Sequence, residues 1–449
     1  MPPLTLPAGV RWSSLRGAER FLSAVLALQL VIATLAVLGL SGDPEPAPAE
    51  AAPTSVHNAR VDVHTRAVAV HDLLTARADA VRRHDRSAFL ATVDPRATAF
   101  RTLQASYVDA LADVPLSVWE YDLDAAHEQP HTTALDELRG QWWAPDVTLR
   151  YALAGYDTRP TMQEQGLTFV LRHGRWYVGS DSDFGTARRT GRGLWDAGAV
   201  QVQTGGSCLV LSHPGHDRLA MQALDECEGA VPRVTKVWGP GWSQKVVVLV
   251  PSSLAELSSL VPGAGDLSQI AALATAELVS PGKGYHPVGD RVLINPTAFA
   301  QLGRLGRRVV ITHEVTHVAS RPATGPMVPT WLVEGLADYV GYRDTGVPVM
   351  VAAEELRADV RAGLVPTALP ADSGFDGSRA DLAQNYEMSW LAVRLLASRY
   401  GEKQLLTLYR TVGGDPRRGA FDRALRKTTG LTSVQFVAAW RSELRRVLG

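Results

Sequence analysis

The chain has 449 residues, with 45 Lys and Arg against 46 Asp and Glu and a net charge of −1. So even a balance offers no basic field to suggest nucleic acid as a partner. The length accommodates two folded domains beyond an N-terminal leader.

Residues 1–20 carry Arg11, Arg16 and Arg20, and Phe21–Leu40 is an uncharged apolar run. A bilayer core takes about 20 such residues as a helix. Asp43, Glu45 and Glu50 follow, so the positive-inside rule sets the N-terminus in the cytoplasm and the bulk of the chain outside. The expectation is a signal anchor: 1–20 cytoplasmic, 21–40 transmembrane and 41–55 a Pro/Ala-rich linker, with the remainder extracellular at the cell membrane. The alternative is secretion after signal cleavage in the small-residue stretch Ala47–Pro53.

From Val56 to Arg86 a helical pattern runs through Val61, Val68, Leu73, Leu74 and Val81. Short helices follow at Ala88–Pro95 and Phe100–Leu111. Strand patterns then dominate, at Ser117–Leu123, Asp146–Leu153, Met162–Arg172 and Arg175–Gly179, with His173-Gly174 as a hairpin turn. Helices followed by an antiparallel sheet that closes on Trp-Tyr-Val resemble the nuclear-transport-factor-like cone fold. That resemblance implies an α+β domain over 56–185 and brings no catalytic motif.

The second domain is expected over 186–449. Val200–Gln203, Ser207–Ser212 and Gln244–Pro251 read as strands, and Ala220–Trp238 as a helix interrupted at Pro232. Ser252–Val261 starts a helix, and Asp290–Pro296 is a short strand closed by Asn-Pro. Cys208 and Cys227 are the two cysteines; their even count and close spacing in an oxidising exterior favour one disulfide over two buried thiols.

Within Leu305–Ser320 lies His313-Glu314-Val315-Thr316-His317. Two histidines four apart share one helix face, so both imidazoles reach one zinc ion with Glu314 beside the water it would carry. Val309, Val310, Ile311, Val315, Val318 and Ala319 make the helix apolar on most sides, so these polar groups are buried and need partners. No histidine follows His317, which leaves a carboxylate as a downstream third ligand. Glu334 is the candidate, in Pro329–Val340, and Asp338 one turn on shares its face. A ligand histidine's remaining N–H would give Asp338 its partner. An oxyanion donor after His317 would be a Tyr or an Arg.

Pro329, Trp331, Leu332, Glu334, Gly335, Ala337 and Tyr339 spell P-x-W-L-x-E-G-x-A-x-Y. Together with H-E-x-x-H this resembles the gluzincin metallopeptidases, in particular the peptidase MA-like group. The resemblance implies Zn2+ held by His313, His317 and Glu334, Glu314 as general base, Asp338 behind a ligand histidine, and a peptide or protein substrate. It implies a thermolysin-like β-sheet lobe, an edge strand along the cleft near Asp290–Pro296, and a helical lobe from the patterns at 350–362, 381–400, 402–412, 417–428 and 432–447. Tyr386, at the start of one of these helices, resembles the catalytic tyrosine position, with Tyr339 and Tyr342 as rivals. The spacing from His317 to Glu334 is shorter than in the aminopeptidase branch, so amino-terminal specificity is not implied. The whole reads as an α+β, membrane-anchored, extracytoplasmic zinc metallopeptidase. The alternative is a catalytically inactive surface binding protein with a structural zinc site. Nothing in the pattern sets an oligomeric state.

Overall fold

The computed structural model describes residues 63–129, 135, 141–185, 190–279 and 286–449. Helices α1 (Val63–Arg82), α2 (Arg86–Leu90) and α3 (Thr98–Ala110) come first. On α1 the buried residues Val70, Leu73, Leu74, Ala78 and Val81 recur every three or four positions and form one stripe. Asp85 caps α2 by accepting from the Ala88 N–H. Strands β1 (Leu116–Glu128), β2 (Trp142–Trp143), β3 (Pro145–Leu153), β4 (Thr161–Gln165), β5 (Thr168–Arg172) and β6 (Arg175–Ser180) follow. They fall into two antiparallel sheets, β1-β3-β4 and β2-β5-β6, in place of the one curled sheet expected. The division falls inside the run Met162–Arg172, which breaks at Gly166-Leu167 so that its halves join different sheets.

Next come β7 (Gln201–Thr204), β8 (Cys208–Ser212), α4 (Asp217–Trp238), β9 (Val246–Val250), α5 (Leu254–Leu260), β10 (Ala272–Val279) and β11 (His286–Ile294). The five strands form one sheet in the order β10-β11-β9-β8-β7. β9 is parallel to both β8 and β11, while β7 and β10 run antiparallel to their neighbours. Parallel pairing needs a crossover, and α4 supplies it between β8 and β9. The expected α+β arrangement is thereby corrected to a mixed α/β one. α4 runs unbroken through Pro232. The ring removes one helix hydrogen bond, and burial of Cys227, Ala230, Val231 and Val234 holds the turn in place. Cys208 on β8 is bonded to Cys227 on α4, with Cα atoms 6.2 Å apart.

Helices α6 (Pro296–Gln301), α7 (Arg304–Ser320), α8 (Thr330–Tyr342), α9 (Val349–Ala352), α10 (Glu354–Arg361), α11 (Leu382–Tyr400), α12 (Glu402–Gly413), α13 (Ala420–Thr429) and α14 (Ser433–Leu448) complete the chain. α7 packs on α4 and α8, and α8 on α11. The main core cluster reaches from the first sheets into the five-stranded one: Trp119 of β1 and Tyr151 of β3 both meet Trp195, and that cluster joins Leu211, Leu249 and Leu293.

No described helix is long and apolar enough to cross a membrane. The three with 19 or more residues, α1, α4 and α11, are packed into the body and interrupted by charged side chains such as Arg77, Arg233 and Glu387. The segment Phe21–Leu40 lies outside the described residues. The single-pass architecture and the cell-membrane localisation drawn from it are corrected accordingly, to an α/β body without a described spanning helix.

Candidate metal centre

α7 and α8 build the site between them. α7 is buried from Val309 to Ser320, which leaves its polar side chains no water to turn to. Thr312 and Thr316 bond back to the carbonyls four residues earlier, at 2.7 Å each. α8 begins after Pro329, where Asp372 accepts from the Thr330 N–H at 3.0 Å. Gly335 lets α8 touch α11: a Cβ there would lie 2.4 Å from the Ser389 carbonyl oxygen.

This packing brings His313, His317 and Glu334 together, with candidate ligand atoms all within 4.8 Å of one another and every side chain buried. The two Nε2 atoms are 2.9 Å apart, and Glu334 Oε2 lies 3.2 Å from His313 Nε2 and 3.5 Å from His317 Nε2. On the far side of the ring, His313 Nδ1 donates to Asp338 Oδ1 at 2.8 Å. That bond turns the Nε2 of His313 toward the other two donors.

The electrostatics follow from burial and these contacts. Burial lowers the His317 imidazole to about 4, so it is neutral with a lone pair at hand. Burial would lower His313 as well, but Asp338 outweighs it and raises the ring well above the ordinary histidine value. Burial would raise the Glu334 carboxyl, yet His317 and His313 hold it down at about 2. A carboxylate oxygen and two imidazole nitrogens, one ring oriented by Asp338, converge on one point. That donor set fits a metal ion.

Glu314 sits beside the trio, fully buried, and neither of its oxygens meets a full hydrogen-bond partner. Burial raises its carboxyl to about 8; the His313 charge and the Ala274 backbone amide of β10 lower it only in part. Tyr386 at the start of α11 is fully buried, its ring centroid 6.3 Å from that of His313. Burial and the nearby Glu334, Asp338 and Glu314 charges raise its phenol well above 10. Of the rival tyrosines, Tyr339 donates to Glu402 at 2.7 Å. Tyr342 is buried, its hydroxyl without a hydrogen-bond partner.

Two neighbours were not singled out from the sequence. β10, not Asp290–Pro296, is the edge strand beside α7, for β11 lies inside the sheet. Arg321, the residue after α7, reaches both strands: its Nε donates to Asp290 Oδ1 at 2.7 Å and its Nη2 to the Ala274 carbonyl at 2.9 Å. The signal for Arg321 was its spacing, four residues beyond His317 on the same helix stripe.

No family model matches the sequence, and no curated protein does. Among solved structures the chain is similar to a mutant M1 zinc metallopeptidase from Deinococcus radiodurans, at 15% identity and a TM-score of 0.33, over 61% of this chain and 58% of that one. It is also similar to a mutant M1 zinc metallopeptidase from Deinococcus radiodurans bound to a Tyr-Ser-Ala substrate, at 14% identity and a TM-score of 0.34, over 73% of this chain and 94% of that one. The chain thus spans 58% of the length of the first enzyme.

Proposed function

We propose that the protein is a zinc-dependent peptidase that hydrolyses peptide bonds with Glu314 as general base. One observation carries the reading: a three-donor group, His313, His317 and Glu334, lies beside a buried carboxylate with no hydrogen-bond partner. A structural zinc site is closed by four protein ligands, whereas a catalytic one keeps three and an open position. Among the described residues the group has three members, which favours the catalytic reading over a structural zinc in a binding protein.

His313, His317 and Glu334 would hold the zinc, and Asp338 would fix the His313 ring by retaining its Nδ1 proton. Bound zinc supplies Lewis-acid polarisation of a carbonyl and a more acidic water. Glu314 accepts the proton of the attacking water at a carboxylate oxygen and returns it to the leaving amine. Tyr386 keeps its phenolic proton and donates it as a hydrogen bond to the oxyanion that develops at the carbonyl.

The test is metal content of the purified chain together with cleavage of a peptide library, with and without chelator. Bound zinc and chelator-sensitive cleavage are expected. Zinc held in full with no cleavage above that of the Glu314→Gln variant would sink the enzymatic reading.

A further inference from the structure

β10 is the edge strand that packs against the metal-ligand helix, and one residue covers part of its outer side. The Ala271 carbonyl accepts from the Asn295 N–H at 2.9 Å, which makes that the hydrogen-bonded kind of pair. Antiparallel pairs alternate, so along the register Ala272–Ile294, Leu273–Leu293, Ala274–Val292 the backbone groups of Ala272 and Ala274 turn away from β11. At Ala274 this leaves the carbonyl on the outer side of the strand. The outward carbonyl is taken by Arg321 Nη2 at 2.9 Å. Arg321 is itself anchored on Asp290 of β11 and is only 13% exposed. An outward carbonyl on an edge strand is the group that a docking strand uses for backbone pairing.

We propose that Arg321 is a specificity-determining residue: held by Asp290, it caps the Ala274 carbonyl and stops an extended peptide from pairing along β10 beyond that point. The assignment rests on the peptidase reading above. Under it, backbone pairing grips the substrate on one side of the scissile bond only. The Arg321 cap covers the strand edge closest to the chemistry, and covering is one way a protein manages an exposed edge.

The experiment uses the whole chain and fluorogenic peptides lengthened one residue at a time on either side of the cleaved bond. For the parent, kcat/KM rises with length on one side and stays flat on the other. Arg321→Met frees the carbonyl, so the flat side responds by about fivefold, the weight of one net hydrogen bond, chiefly through KM. Arg321→Lys keeps a donor and behaves as the parent does. Asp290→Ala removes the acceptor that anchors the guanidinium and gives the same gain as Arg321→Met, which covers the case in which that variant does not fold. An equal loss at every length in both variants would make Arg321 a mere brace and overturn the proposal, as would a parent that responds on both sides. A parent with no chelator-sensitive cleavage would instead sink the peptidase reading, and the assignment with it.

Discussion

The Nδ1 of His313 and the Oδ1 of Asp338 are 2.8 Å apart, and both side chains are fully buried. The bond links α7 to α8 and fixes which ring nitrogen faces Glu334. Asp338→Ala leaves Nδ1 without an acceptor and the ring free to turn. Metal affinity is expected to fall about 10- to 100-fold, as for other partners that orient a ligand from behind. Asp338→Asn retains a carbonyl acceptor and should lose less. Competition against a chromophoric chelator measures both; equal affinity in Asp338→Ala and the parent would remove Asp338 from the site.

Gly335 adjoins Glu334 at the contact between α8 and α11. In Gly335→Ala the new Cβ would lie 2.4 Å from the Ser389 carbonyl oxygen and 2.7 Å from a Val393 methyl. Both obstacles lie on a buried helix, so α8 must move. A loss of about 1–3 kcal/mol is expected from overpacking, with weaker metal binding because Glu334 moves with its neighbour. Denaturant midpoints and metal titration check the two effects; a variant as stable as the parent would mean that α8 and α11 pack less closely than described.

The cluster of His313, His317 and Glu334 was legible because its geometry is local. His313 and His317 owe their shared face to helix spacing alone, and so do Glu334 and Asp338. What joins the two helices is tertiary, yet the shortage of other histidines narrowed the third ligand to an acid. β10 was not legible: Ala-Leu-Ala-Thr-Ala-Glu-Leu-Val is rich in alanine, which carries helix rather than strand propensity. Its place at the edge depends on pairing with β11, and the parallel order β8-β9-β11 depends on partners distant in sequence. Arg321 had the right spacing, but its importance comes from Ala274 and Asp290, which only the sheet brings near.

Glu277 of β10 gives a pH dependence of known sign. Burial raises its carboxyl from 4.5 to about 7, although it accepts from the Met162 N–H at 2.7 Å. Between those values the folded chain holds a proton that the unfolded chain has released. Its contribution to stability therefore falls as pH rises through that window and is level above it. Glu277→Gln keeps an acceptor for Met162 and removes the titration. The variant should match the parent at low pH and exceed it above about pH 7. Chemical denaturation across that range decides; a parent that gains on the variant as pH rises would mean that the ionised carboxylate is favoured in the fold.

The Cys208–Cys227 bond closes a loop of 19 residues between β8 and α4. Chain-entropy arguments put such a crosslink at about 3 kcal/mol. Replacing both cysteines by alanine should lower the denaturation midpoint accordingly. Both sulfurs are buried, so reductant should act on the parent only where denaturant opens the fold. Prompt reaction of native protein with a thiol reagent after mild reduction would show the bond to be more accessible than this packing allows.

Glu314→Gln separates binding from catalysis. The residue touches none of the three converging donors through a hydrogen bond, and both its oxygens lack a full partner. Replacing the carboxylate by an amide of nearly the same shape should leave α7 and the donor group in place. Metal content is therefore expected to equal that of the parent. Proton transfer is lost, and cleavage should fall by about 10²- to 10⁴-fold, the usual weight of a general base. The loss should appear in kcat rather than KM, because the base acts on the reacting water and not on the bound peptide. Stability should change little, for the amide keeps the side chain's volume at a position where neither oxygen has a hydrogen-bond partner. A variant that loses zinc along with activity would make Glu314 part of the binding site; one that keeps both would leave the general base to be sought elsewhere.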